Sequence, residues 1–276
     1  MPAQELPGIV LAPYGTLLPP ALATYSRIQK TYERTFPGSP VRLAFTSNLM
    51  RKRLQEKEDI SIPSIQSALE ELCDDGLRSV VVQSLQIVPG GEFHQVEALV
   101  MEFKERDPAF SRLEIGLPLL SSLEDCRRVS SLIPALCSES AYHPGPEKEA
   151  VLLVGHGTDH SADALYSLMY QVIRAEHENV FLGTIEGSCG IDCLLSDLSG
   201  FGARVVRLLP FLLVAGGHAE NDIFGPSPES WMSTLERVGY EVMVDRRGLG
   251  DRAEMVSIFL EHTRNALEIL TNRYID

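Results

Sequence analysis

The strongest constraint on the fold is that the chain repeats itself. Ile9-Val10-Leu11-Ala12-Pro13-Tyr14-Gly15-Thr16 returns 142 residues later as Val151-Leu152-Leu153-Val154-Gly155-His156-Gly157-Thr158. Val88-Pro89-Gly90-Gly91-Glu92 returns 126 residues later as Val214-Ala215-Gly216-Gly217-His218. A supersecondary signature that occurs twice implies two similar units. The pattern between the repeats agrees. In the first half, β-branched runs at 9–12, 41–46, 79–82 (running on toward Val88) and 113–117 alternate with helical patterns at 20–36, 64–73, 92–106 and a last one ending at Leu136. In the second half, runs at 151–154, 180–185, 204–214 and 240–244 alternate with helical patterns at 162–176, 192–198, 228–238 and 252–272. Strands separated by helices in this way form right-handed βαβ units and a parallel sheet.

Eight βα units is also the count of a closed barrel. The repeat favours instead two similar doubly wound α/β lobes, each a parallel four-stranded sheet flanked by helices. Tyr142-His143-Pro144-Gly145-Pro146 is the best linker signal. It divides an N-terminal α/β lobe, residues 1–140, from a C-terminal α/β lobe, residues 141–276, with the last helix free to pack back on the first lobe.

Charge and composition exclude several classes. Twenty-four basic against 38 acidic residues give a formal charge of −14, which argues against nucleic acid and anionic membrane surfaces as partners. The ten-residue run 208–217 is far short of the roughly 20 apolar residues that span a bilayer. The N-terminus has Glu5, Pro7 and no basic segment ahead of an apolar one, so it does not read as a signal peptide and the expectation is a cytoplasmic protein. Neither phosphate-binding glycine motif, GxxxxGK[ST] or GxGxxG, occurs. The five cysteines, Cys73, Cys126, Cys137, Cys189 and Cys193, are odd in number and form no CxxC pair. Cys189 and Cys193, four apart, read as buried thiols on a core stripe rather than as metal ligands.

In open parallel sheets, ligands bind beyond the carboxyl ends of the strands. In the second half those ends carry Gly155-His156-Gly157-Thr158, Thr184-Ile185-Glu186-Gly187 and Gly216-Gly217-His218-Ala219-Glu220-Asn221-Asp222. Singly, His156 and Glu186 read more readily as hydrogen-bonded loop residues, and Gly216-Gly217-His218 reads equally well as a turn or a site. Together on one rim, two imidazoles and a carboxylate suit divalent Co, Fe, Ni or Zn better than Mg or Ca. His160 and Asp163 read as the capping region and first turn of a helix. Glu220 and Asp222 are open to two readings, solvated helix-start charges or support for the ligands. The first half differs: Tyr14 stands where the second half has His156, and Glu92 where it has His218. An aromatic ring and a carboxylate suit a planar ligand held between the halves, with Tyr14 stacking and Glu92 facing a cation or an N–H. A helix N-terminal carboxylate explains Glu92 equally well.

The segments around His156 (residues 153–160), Glu186 (residues 184–187) and His218 (residues 210–222) resemble the anaerobic-type sirohydrochlorin cobaltochelatases, the CbiK family of class II chelatases. The resemblance covers most of the chain and implies two similar α/β lobes with a tetrapyrrole cleft. It implies that His156, Glu186 and His218 bind the incoming metal and carry catalysis, and that Glu92, with Tyr14, faces the tetrapyrrole. It further implies ATP-independent insertion of Co2+, with Fe2+ as a second acceptable metal, and no cofactor beyond the substrate metal. The partners implied are sirohydrochlorin and a divalent cation, with room for a homo-oligomer. Two alternatives stand beside it: a protoporphyrin ferrochelatase and a non-catalytic metal or haem carrier.

Overall fold

The computed structural model describes residues 6–106, 112–138 and 148–272; the linker read at 142–146, with His143, lies outside them. The chain runs β1 (Gly8–Ala12), α1 (Pro19–Thr35), β2 (Val41–Leu43), α2 (Asn48–Glu58), α3 (Ile65–Asp74), β3 (Ser79–Ser84), α4 (Gly91–Arg106), β4 (Arg112–Gly116) and α5 (Leu123–Ser138). It continues with β5 (Glu149–Gly155), α6 (Ala164–Glu176), β6 (Val180–Thr184), α7 (Ile191–Phe201), β7 (Val205–Pro210), α8 (Trp231–Arg237), β8 (Glu241–Val244) and α9 (Ala253–Asn272). The strands form two four-stranded sheets, ordered β2-β1-β3-β4 and β6-β5-β7-β8, and every pairing is parallel. The two sheets thus share one topology, as the repeat requires.

The central strands β1 and, after Glu149, β5 are buried on both faces and read as apolar runs. On one face of the first sheet Val10, Val80 and Val82 pack with Leu69 and Leu72 of α3 and Val96, Val100 and Phe103 of α4. In the second sheet Leu152, Val154, Phe181, Val206 and Leu208 pack with Leu194 and Leu198 of α7 and Trp231 and Leu235 of α8. Each such side chain contributes about 1.5–3 kcal/mol on burial, so the strand ends are held on a rigid platform.

The molecule consists of two compact units, one of residues 1–119 and 256–276, the other of residues 120–255. The division therefore falls ahead of α5 rather than at the linker signal. α5 packs on α6: Ser130 Oγ donates to Glu176 Oε2 at 2.5 Å and the Ser130 carbonyl meets His177 Nε2 at 3.0 Å. Most of α9 belongs to the first unit. Its Ala266 and Leu270 pack on Val81, Thr263 donates to Gln83 Oε1 at 2.7 Å, and His262 Nδ1 lies 3.0 Å from the Leu117 carbonyl.

Helix α2 has no counterpart in the sequence reading, because only Leu54 of its eleven residues is buried. Two strands are shorter than the apolar runs that signalled them. β2 stops at Leu43, and β7 stops at Pro210, which cannot donate to a ladder. The residues beyond them form rim loops.

Candidate metal centre

In the order β6-β5-β7-β8 the connections from β5 and β7 leave in opposite directions, which opens a crevice at their carboxyl ends. His156 follows β5 and His218 follows the loop after β7, so both stand at this switch point. Glu186 follows β6 on the adjoining strand end.

The backbone fixes the first two. Ile185 N donates to Gly155 O at 3.0 Å and Glu186 N to His156 O at 2.7 Å, so the β5–β6 pairing continues past the sheet into the loops. Gly157 has φ +78°, in the left-handed region, and a Cβ there would sit 2.2 Å from Gly187 N. The two loops touch backbone to backbone, which glycine permits. The third loop is supported from the segment after β8: Leu249 N donates to Leu212 O at 2.8 Å and Gly250 N to Leu213 O at 2.7 Å. That segment is pinned by Asp245, which pairs with Arg252 at 2.8 Å and Arg247 at 2.7 Å. His218 then enters a wide π-helical turn, Ala219–Ile223, closed by Phe224 N on Ala219 O at 3.0 Å. Turns of this kind project side chains out of ordinary helical register.

The result is a cluster. One donor atom from each of His156, Glu186 and His218 lies within 4.8 Å of the others. The two imidazole rings stand edge to face, with centroids 4.5 Å apart at 86°, and His156 Nδ1 lies 3.8 Å from Glu186 Oε2. Each ring is oriented by an acceptor on Nδ1, the Gly157 carbonyl at 2.9 Å for His156 and Asp222 Oδ2 at 2.8 Å for His218. A neutral imidazole that donates from Nδ1 keeps its lone pair on Nε2, the arrangement found at metal-binding histidines. The side chains are 38%, 56% and 53% exposed for His156, Glu186 and His218, so a cation held here keeps coordination positions open to solvent or to a second substrate.

The sequence pattern of the cobalt chelatase (CbiK) family matches residues 7–268. The chain is 36% identical over 278 residues to the sirohydrochlorin cobaltochelatase CbiKC of Nitratidesulfovibrio vulgaris, covering 98% of this chain and 95% of that one. It is 32% identical over 226 residues to the sirohydrochlorin cobaltochelatase of Salmonella typhimurium, covering 82% and 83%. The chain belongs to the cobalt chelatase family. Its fold is also that of SirB from Bacillus subtilis, solved with Fe3+, at a TM-score of 0.65 and 16% identity over 94% of both chains.

Of the residues around this family member's cluster, Asp222 holds the His218 ring, whereas Glu220 turns away to pair with Arg246 at 2.7 Å, the guanidinium lying over the Phe224 ring at 4.7 Å. His160 caps the short turn Ser161–Asp163, its Nδ1 accepting from Ala162 N at 3.1 Å. The buried-thiol reading of the cysteine pair is corrected: Cys193 is exposed and Cys189 half-buried, because Cys189 precedes α7 and Cys193 faces out from its first turn. Burial, reinforced by Cys193 beside it, pushes the Cys189 thiol up to about 11. In the first unit, Tyr14 follows β1 and is 44% exposed. Glu92 is exposed in the first turn of α4. They occupy the corresponding switch point of the first sheet.

Proposed function

We propose that this chain inserts Co2+ into sirohydrochlorin without ATP, accepts Fe2+ as a second metal, and acts in the cytoplasm in cobalamin or sirohaem synthesis. The observation that carries the reading is the trio His156, Glu186 and His218 brought together, half exposed, at a sheet switch point. The relatives from Nitratidesulfovibrio vulgaris and Salmonella typhimurium are both named sirohydrochlorin cobaltochelatases, which supports the cobalt and sirohydrochlorin part of this reading. Among the described residues no helix is long and apolar enough to cross a membrane.

Chelation requires the cation to shed water and the macrocycle to lose two pyrrole protons. His156 and His218 replace water ligands without adding charge, and Glu186 offsets part of the cation's charge. As the pyrrole nitrogens take the metal, an imidazole released from it becomes a base for one pyrrole proton, and the second passes to the other imidazole or to water. Partial exposure suits this hand-over, because a closed cage would keep its cargo. Tyr14 and Glu92 are assigned to the macrocycle, the ring for stacking and the carboxylate for the central N–H groups.

The test is the absorbance change of sirohydrochlorin with Co2+ and catalytic enzyme, ATP omitted. Multiple turnovers support the reading. Turnover only with ATP overturns its ATP-independent part. Turnover of protoporphyrin with Fe2+ but not of sirohydrochlorin identifies a ferrochelatase, and tight retention of metal or haem without turnover identifies a carrier.

A further inference from the structure

Asp163 stands at the start of α6, where an acid ordinarily caps the helix, yet its side chain makes no cap hydrogen bond. Its two oxygens are used elsewhere. Oδ1 accepts from Thr158 N at 3.3 Å, and Oδ2 accepts from Ser188 N at 2.9 Å. Thr158 is two residues beyond His156, and Ser188 two beyond Glu186. One carboxylate therefore spans the loops that carry two of the three clustered donors. Gly187 leaves room for it: a Cβ there would lie 2.4 Å from Asp163 Oδ1. The repeat supplies a comparison. In the first half the residues following the matching Tyr-Gly-Thr, Leu17-Leu18-Pro19-Pro20-Ala21-Leu22-Ala23-Thr24, contain no carboxylate. The acid is present in the half that has the histidines and absent from the half that lacks them.

We propose that Asp163 is a positioning residue for chelation, a carboxylate strut that sets the spacing between His156 and Glu186 and so the affinity for Co2+. The inference rests on the metal reading of the trio. A carboxylate holds a backbone N–H more firmly than a neutral acceptor does, the 2.9 Å bond from Ser188 N being the closer of the two, and groups that orient a metal's ligands typically change affinity 10- to 100-fold when lost. Ser188 is exposed and Thr158 half-buried, so water can replace the lost acceptor at Ser188 outright and at Thr158 in part, at small cost to folding. The strut therefore governs geometry more than stability.

The experiment titrates Co2+, without tetrapyrrole, into wild type, Asp163→Ala, Asp163→Asn and His156→Ala, following the visible absorption of bound Co2+ and the thermal unfolding midpoint. Asp163→Ala is expected to bind about 10-fold or more weakly, with an altered Co2+ spectrum and an unfolding midpoint near wild type. Asp163→Asn keeps one acceptor oxygen and is expected to fall between them. In turnover, KM for Co2+ rises while KM for sirohydrochlorin stays. Wild-type affinity and spectrum in Asp163→Ala, alongside lost binding in His156→Ala, overturn the strut alone. Undiminished binding in His156→Ala overturns the metal reading and the strut with it. Equal losses in both Asp163 variants with a collapsed midpoint make Asp163 a folding element and overturn the proposal.

Discussion

Two glycines with nearly the same backbone conformation allow the contact between the ligand loops to be weighed. Gly157 has φ +78° and Gly202, at the C-terminus of α7, has φ +76°. An alanine in the left-handed region costs about 1–2 kcal/mol, and the lower entropy of the unfolded chain returns about 0.4–1 kcal/mol. At Gly202 nothing lies within 4 Å of the added Cβ, so Gly202→Ala should lose roughly 1 kcal/mol. At Gly157 the same Cβ would sit 2.2 Å from Gly187 N, 2.7 Å from Gly187 Cα and 2.9 Å from Thr184 Cβ. Two of these are backbone atoms that cannot rotate away, which adds about 1–3 kcal/mol of overpacking. Gly157→Ala should therefore lose roughly 2–4 kcal/mol, relieved by pushing the Glu186 loop away from His156. Urea unfolding of both variants measures the stability difference, and Co2+ titration measures its local consequence. Gly202→Ala should bind Co2+ as wild type does, and Gly157→Ala at least about tenfold more weakly. Equal stability losses with undisturbed Co2+ affinity in both would refute the idea that backbone contact at Gly157 sets the ligand spacing.

Replacing His156 or His218 by Ala should remove most chelation activity yet shift unfolding free energy by no more than about 0.5–1 kcal/mol, since both are partly exposed rim residues; loss of activity through unfolding, seen by circular dichroism, would count against their role. Asp222→Ala should weaken Co2+ binding about 10- to 100-fold by releasing the His218 ring, measurable by the same titration. Burial by itself raises the Asp245 pKa, but hydrogen bonds from the Arg247 side chain and backbone, with the charge of Arg252, outweigh it and hold the carboxyl below its ordinary value. A lowered folded-state pKa gives stability that is complete above the unfolded value of about 3.9 and is lost as pH falls through the folded value. Asp245→Asn should thus lose on the order of 3 kcal/mol at neutral pH, with its deficit against wild type narrowing below about pH 4; a deficit that is constant with pH would show that the pairing does not depend on ionisation.

The meeting of His156, Glu186 and His218 was legible because the repeat marks where parallel strands end, and loops leaving a switch point have little choice of where to go. What stayed hidden depends on contacts distant in sequence. Helix α2 buries one residue and shows no apolar stripe; its signals were Ser47, whose side chain caps it by accepting from Met50 N, and a run of good helix formers. The assignment of α5 to the second unit is made by its packing on α6, which no linker composition reveals. Asp163 reads as a helix-start acid from its neighbours alone, because its partner Ser188 lies 25 residues on. Pro210, by contrast, was a readable end to β7 inside a longer apolar run.

The duplicated fold allows a test of whether a metal cluster needs more than its histidines. The first unit repeats the loop contacts of the second: Thr46 N donates to Pro13 O at 3.0 Å and Ser47 N to Tyr14 O at 3.1 Å, as Ile185 and Glu186 do with Gly155 and His156. By this register Ser47 is the counterpart of Glu186, so the trio His156, Glu186 and His218 is matched by Tyr14, Ser47 and Glu92. The double variant Tyr14→His, Glu92→His restores both imidazoles to the first unit, yet it should gain no second Co2+ site. Its third donor would be the Ser47 hydroxyl, a poor ligand already accepting from Met50 N at 3.3 Å. Four residues beyond Glu92, where Asp222 orients His218 in the second unit, stands Val96, 2% exposed and in the core, so the new imidazole would have no carboxylate to fix its ring. Equilibrium dialysis should find one Co2+ per chain in the double variant, as in wild type. A second equivalent of similar affinity, surviving His156→Ala, would show that two strand-end histidines suffice and that the carboxylates around them matter little.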